Sequence, residues 1–191
     1  MPRIYLAGPD VFVEHARELT RRKQQLCEAY GLDGLVPLDT EEPSAAIDVP
    51  SPRIFAANVA LMRSADAIVA NLTPYRGLSA DVGTAFELGF MAALGKRLYG
   101  YSNIAIPFRE RVAAVFGPVR AGADGRLFGA DDLMVEDFGH ADNLMIDEAL
   151  AGFGHCLITA EVEPGQEFDD LTAFEACLVR VRRDLAGHEP S

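Results

Sequence analysis

The sequence predicts an α/β domain: a mainly parallel, five-stranded sheet covered by helices on both faces. Three observations predict it. Short apolar runs alternate with longer helical segments, the order that right-handed βαβ crossovers produce. Two of those runs, Ile4-Tyr5-Leu6-Ala7 and Ala67-Ile68-Val69-Ala70, are apolar at successive positions, as strands buried on both faces are. Finally, 191 residues with 49% hydrophobic and 24% charged side chains suit one globular core, so residues 1–191 are read as a single domain.

Each element has its own signal. Arg3 to Ala7 is the first strand. Gly8-Pro9-Asp10 breaks it, and a helix follows through about Tyr30, where Gly31 stops it. Leu35-Val36-Pro37-Leu38 is a second short strand. The stretch from Asp39 to Pro52, rich in Pro, Ser and acids, is a loop long enough to be functional or mobile. Ile54 to Ser64 is a helix with Ile54, Val59, Leu61 and Met62 toward the core, and Ala67 to Ala70 is the third strand. A turn through Thr73-Pro74-Tyr75-Arg76-Gly77 leads to Ser79, read as the N-cap of a helix ending near Leu94-Gly95. Leu98 to Tyr101 is the fourth strand. Within the Gly-rich stretch from Ser102 to Ala141 only a helix near Arg109 to Val115 is assigned. Asn143 to Leu150 reads as a short helix, His155 to Thr159 as the fifth strand, and Asp169 to Leu185 as a closing helix. In such sheets ligands bind beyond the carboxyl ends of the strands, near the reversal of strand order. The turns after strands one and three, with the helix after Ser79, should line the site.

Composition excludes several functions. The formal net charge is -12, whereas polyanion binders carry a basic face. The basic clusters, Arg21-Arg22-Lys23 and Arg180, Arg182 and Arg183, read as solvated helix faces. No nucleic-acid partner is implied. No apolar run approaches the ~20 residues of a membrane span, and the N-terminus lacks a signal-peptide pattern, so the chain is read as cytoplasmic. Cys27, Cys156 and Cys177 are scattered and read as buried small hydrophobes. His15, His140, His155 and His188 have no ligand spacing, so no metal is implied. There is no GxxxxGK[ST], and Ala7-Gly8-Pro9-Asp10-Val11-Phe12 is not GxGxxG, which demotes a nucleotide cofactor.

The informative segment runs from Ser79 to Leu94. Between Val82 and Leu94 only Thr84 and Glu87 are polar, so the helix is expected to be largely buried. Glu87 then lies among Phe90, Met91 and Leu94. A buried carboxylate without a partner costs on the order of several kcal/mol. Side chains on a helix lean toward the residue four positions earlier, here Gly83, which leaves room above it for a ligand. Asp81 precedes Glu87 by about 9 Å along the axis at 1.5 Å rise, so both can touch one sugar-sized molecule. Spacing alone leaves alternatives open: Asp81 as a helix-stabilising acid, Glu87 as a structural acid paired with an Arg or Tyr. Tyr5 is a core residue whose hydroxyl needs a partner, for which a nearby carboxylate serves. Asn58 and Asn143 read as caps or solvent-facing groups.

Four landmarks in order carry a resemblance: Ile4 to Phe12, Asn58-Val59-Ala60-Leu61-Met62, Ala80 to Gly89, and Asp142-Asn143-Leu144-Met145. They resemble the nucleoside 2-deoxyribosyltransferases, most specifically in Asp81-Val82-Gly83 followed by Glu87-Leu88-Gly89. The resemblance implies a flavodoxin-like three-layer sandwich and a glutamate nucleophile at Glu87. By the same resemblance Tyr5 orients that glutamate, Asp81 contacts the nucleoside, and Gly8 and Phe12 flank the ligand. Asn143, with Met145 beside it, matches a segment that reaches into a neighbouring subunit's site, which implies a homo-oligomer. Some members carry an aspartate where this chain has Asn58, and an amide cannot act as a general acid toward the leaving base.

The implied substrates are deoxynucleosides and free nucleobases in nucleotide salvage, and the implied chemistry is a retaining double displacement without a cofactor. Two rivals remain. One is a nucleoside or deoxynucleotide N-glycosidase on the same scaffold with water as acceptor, although only Arg76 and Ser79 near the motif would meet a 5'-phosphate. The other is a non-catalytic nucleotide-binding module, in which Glu87 is dispensable.

Overall fold

Strands and helices alternate as the apolar runs require. In a computed structural model, which describes residues 1–37, 50–153, 155 and 157–186, β1 (Arg3–Ala7) is followed by a 3-10 turn (Pro9–Phe12), α1 (Ala16–Ala29) and β2 (Asp33–Leu35). Then come α2 (Ser51–Ser64), β3 (Ala67–Asn71), α3 (Val82–Ala93) and β4 (Arg97–Ser102). Helix α4 (Phe108–Phe116) leads into three short strands, β5 (Arg120–Ala121), β6 (Leu127–Phe128) and β7 (Met134–Val135). Helix α5 (Leu144–Gly152), β8 (Ile158–Thr159) and α6 (Thr172–Ala186) follow.

The main sheet has five strands in the order β2-β1-β3-β4-β8, every pair parallel. Counted along its own strands this is the doubly wound order 2-1-3-4-5, whose switch point lies between the first and third strands. Side chains alternate between the two faces of each strand. Ile4, Leu6, Val69, Tyr99 and Tyr101 therefore meet Cys27 of α1 and Phe174, Leu178 and Val181 of α6. Tyr5, Ala7, Ile68, Ala70 and Leu98 face the opposite layer, against Met62 of α2, Leu88 and Met91 of α3, and Leu150 of α5. The three-layer sandwich follows from that alternation. So does the direction of Tyr5, toward α3.

Several boundaries differ from the sequence reading, each for a physical reason. The helix expected after the break at Gly8-Pro9-Asp10 starts later: a 3-10 turn spans Pro9–Phe12, Val13 is extended, and α1 starts only at Ala16. Strand β2 lies earlier than Leu35–Leu38, pairing Asp33, Gly34 and Leu35 with Arg3, Ile4 and Tyr5, and Gly34 suits that place because a Cβ there would come 3.1 Å from Cys27 Sγ and 3.2 Å from Leu6 Cδ1. Pro37 has no N–H for a ladder, and Leu38 and residues 39–49 of the expected loop lie outside the described residues. Helix α2 begins at Ser51, with Pro52 tolerated in its first turn. Of its expected core residues only Met62 is fully buried, while Ile54, Val59 and Leu61 are half-buried.

The fifth strand shrinks to Ile158–Thr159, and Cys156 and His188 lie outside the described residues. The stretch from Ser102 to Ala141 holds an antiparallel three-stranded ribbon, β5-β6-β7, separate from the main sheet. Lys23 is not on a solvated face. It is 4% exposed, and its Nζ meets Asp10 Oδ2 at 2.6 Å, because α1 turns that position toward Tyr101 and Phe174. Cys27 and Cys177 are buried, which pushes each thiol up to about 12. Among the described residues no helix is long and apolar enough to cross a membrane.

Candidate active site

Strand β1 delivers Tyr5 to the layer beneath α3. The ring is 0% exposed, and its hydroxyl donates to Glu87 Oε1 at 2.5 Å. A buried phenol needs such a partner, and a carboxylate acceptor makes the bond short and strong. Glu87 is half-buried, beside the Thr84–Leu88–Met91 stripe by which α3 packs on the sheet.

The first turn of α3 departs from the sequence reading. The N-cap is Asp81, not Ser79: its Oδ2 accepts from Thr84 N at 3.0 Å and from Thr84 Oγ1 at 3.2 Å. Gly83 serves that cap, since a Cβ there would stand 3.0 Å from Asp81 Oδ2. The expected burial of α3 within the chain is also corrected. Val82 is 84% exposed and Phe86 53%. Phe86 lies between Phe55 of α2 and Phe90, with ring centroids 6.1 Å apart in both pairs. An apolar composition states that a helix face is covered, without stating by what. Here one face is covered by the sheet and the other faces outward. Asn58 is half-buried on α2, one turn from Phe55 and one from buried Met62, on the helix that abuts α3.

At the switch point, the loop after β1 is drawn tightly against β3. A Cβ on Gly8 would lie 2.4 Å from Asp10 Oδ2 and 2.7 Å from Asn71 Cβ. Asp10, 7% exposed, is held by Lys23 and by Asn71 Nδ2, which donates to its Oδ1 at 3.0 Å. The loop then presents Phe12, 57% exposed and stacked on Tyr75 at 5.2 Å. Tyr75 meets Phe168 edge-on at 6.4 Å. Neither Tyr75 nor Phe168 was singled out from sequence, where an aromatic in a loop carries no signal of its own.

Asn143 caps α5, its Oδ1 accepting from Met145 N at 3.0 Å, and its Nδ2 donates to the Glu136 carboxylate at 3.3 Å. Met145 is 73% exposed. The preceding residue, Asp142, is 3% exposed. Its Oδ2 accepts from Ala80 N at 2.9 Å and its Oδ1 from Asn143 N at 2.7 Å. Arg111 of α4 reaches the same carboxylate at 3.5 Å, and donates through Nε to Leu78 O at 2.8 Å and through Nη1 to Ile106 O at 2.6 Å. Burial lowers the Arg111 pKa, an effect opposed by Asp142. Arg111 was missed because an arginine in a short helix reads as surface charge.

The described geometry thus groups Tyr5, Glu87, Asp81 and Gly83 on β1 and α3. Gly8 and Phe12 stand at the switch point, and Asn143 and Met145 at the start of α5, tied to α3 through Asp142. The sequence pattern of the nucleoside 2-deoxyribosyltransferase family matches residues 4–145, a span that contains all of them. An uncharacterised protein of Schizosaccharomyces pombe (strain 972) is 31% identical over 163 residues, 77% of this chain and 76% of that protein. Among solved structures, a 2-desoxiribosyltransferase from Leishmania mexicana is 29% identical, with a TM-score of 0.66 over 96% of this chain and 98% of its own. A conserved protein from Enterococcus faecalis V583, 18% identical, shares the fold at a TM-score of 0.53 over 95% and 99% of the two chains.

Proposed function

Because the chain belongs to the nucleoside 2-deoxyribosyltransferase family, we propose that it moves the 2-deoxyribosyl group between nucleobases through a covalent ester on Glu87. A carboxylate oxygen of Glu87 bonds the anomeric carbon as the glycosidic C–N bond breaks. The departing base takes the bonding pair and acquires a proton. A second base then attacks the ester, loses its proton, and restores the original configuration while Glu87 leaves as carboxylate. A 2'-deoxy sugar suits this, because no 2'-hydroxyl withdraws electrons from the oxocarbenium-like transition state. No cofactor enters the scheme.

The observation that carries the reading is the Tyr5–Glu87 hydrogen bond of 2.5 Å. It fixes the direction of the nucleophile, and it stabilises the carboxylate each time the sugar ester breaks. Asp81 uses Oδ2 for the cap, which leaves Oδ1 to meet the nucleoside. With Asn58 unable to donate a proton as an acid, departure of the base relies on Asp81 or on hydrogen bonding alone. Gly8 and Phe12 shape the approach to the ligand, and Gly83 keeps the first turn of α3 clear.

The outward apolar face of Phe55, Val82, Phe86 and exposed Met145 supports a homo-oligomer. In it the Asn143–Met145 segment completes a neighbour's site and keeps water from the ester. The whole chain acts as one such domain, in cytoplasmic nucleoside salvage.

The test is incubation with a deoxynucleoside, with and without a second free base. The transferase reading requires a new deoxynucleoside. Free deoxyribose released at one rate regardless of added base would assign the protein to N-glycosidases instead.

A further inference from the structure

We propose that the buried Arg111–Asp142 pair is a positioning device that fixes Asp81, which meets the nucleoside of the chain's own site, relative to Asn143, which completes the neighbour's site, so that one clamp serves both sites. The proposal rests on the deoxyribosyl-transfer reading above.

The two oxygens of Asp142 are divided between the two helices. Oδ2 takes the N–H of Ala80, the residue before Asp81, and Oδ1 takes the N–H of Asn143. One carboxylate therefore clamps the backbone on the near side of each contacting residue, across 62 positions of sequence. Arg111 secures the same loop from beyond, through the carbonyl of Leu78, and anchors itself to Ile106. Asp147 accepts the N–H of Asp142 at 3.0 Å and so holds the clamp's own backbone.

Burying opposite charges gives little net stability relative to an apolar pair of the same volume. What the charged pair supplies here is direction: a guanidinium fork and a carboxylate have fixed hydrogen-bond axes, and an apolar contact has none. The nucleophile is held by a different element. Glu87 is set by Tyr5 from β1, and neither Arg111 nor Asp142 takes part in that bond. Disturbing the pair should therefore weaken grip on the nucleoside and spare the chemistry.

In Asp142→Asn, an amide N–H faces one of the two backbone N–H donors. The KM for the donor deoxynucleoside should rise about tenfold or more while kcat stays within about threefold, the pattern left when binding shared by ground state and transition state is lost. The same rise should appear in the Kd of a deoxynucleoside when Asp142→Asn is added to Glu87→Ala. Arg111→Lys, which keeps the charge and loses the fork, should show the same split in smaller measure. Leu178→Ala opens a cavity in the opposite layer, and should lower thermal stability with KM unaltered. A KM within about twofold of wild type in folded Asp142→Asn, or a fall confined to kcat, overturns the proposal. Should Asp142→Asn fail to fold, Arg111→Lys decides on the direction of its KM. A wild-type protein without base exchange removes the functional reading, and the pair's role with it. An active wild type with unmoved variants removes the pair's role alone.

Discussion

Tyr5 and Glu87 stand 82 residues apart in sequence and 2.5 Å apart across the strand–helix interface, hydroxyl to carboxylate. Two elements set that contact. The period-two alternation of β1 points the ring at α3, and the Asp81 cap sets where α3 begins and so where its sixth residue falls.

Glu87→Gln or Glu87→Ala should lose base exchange by about 10³-fold or more, as removal of a covalent nucleophile does, with an unchanged circular dichroism spectrum. A 2'-fluorinated nucleoside should leave a sugar adduct on Glu87 of the wild type, read by peptide mass spectrometry. Exchange that persists in the variant, or an adduct on another carboxylate, would end the mechanism.

Tyr5→Phe keeps the ring and removes the donor. A hydrogen bond to a charged group is worth about 1.5–3 kcal/mol, so kcat/KM should fall about 10- to 150-fold. Steady-state kinetics at saturating acceptor base check this. An unchanged kcat/KM would make the bond a packing detail.

Phe86→Asp places a charge on the outward face of α3. Sedimentation velocity should show a smaller species than the wild type at equal concentration, and exchange activity should fall with it. A wild type already monomeric at micromolar concentration contradicts the proposed assembly.

Lys23→Met leaves the Asp10 carboxylate, 7% exposed beneath the loop after β1, without its cation, held by Asn71 Nδ2 on one oxygen. Breaking one side of a buried pair costs about 3–5 kcal/mol, and urea unfolding should register a loss of that order. A loss below about 1 kcal/mol would mean that Asp10 finds another partner.

His155 is packed on Tyr99 at 4.3 Å and paired with Asp184 at 3.3 Å. Its pKa nonetheless lies below the ordinary 6.5, burial being the largest cause, with Arg180, Arg183 and Arg97 acting in the same direction. The unfolded chain therefore binds this proton more readily. The contribution of His155 is complete above pH 6.5 and declines as pH falls through the depressed folded value. His155→Phe should flatten the pH dependence of unfolding in that window, measured by thermal melts at stepped pH. An equally steep profile in the variant would assign the acid sensitivity elsewhere.

The legible parts of the molecule were those whose signal is local. A tyrosine inside an apolar strand and one acid in an apolar helix announce that each needs a partner, and the parallel alternation of β1, β3 and β4 follows from runs of side chains alone. Asp81 is legible, but its capping role reads as that of Ser79 two residues earlier, because serine and aspartate cap equally well and only the folded chain shows that the Asp81 carboxylate reaches Thr84 N. Lys23 was misread because its neighbours Arg21 and Arg22 are exposed, and a helix can turn one charge of three inward without altering composition. Two-residue strands such as Leu127–Phe128 are too short to show alternation. The outward face of α3 defied reading for another reason: hydrophobicity measures the wish for cover, and the sequence of one chain does not separate cover from its own sheet and cover from another molecule.

Gly8 has a practical consequence for anyone redesigning base preference. A side chain there collides with Asp10 and Asn71, so in mutant libraries that randomise the whole β1 loop the clones altered at position 8 should be destabilised. Variation is better placed at Phe12, which is 57% exposed, and position 8 is best left out of the randomised codons.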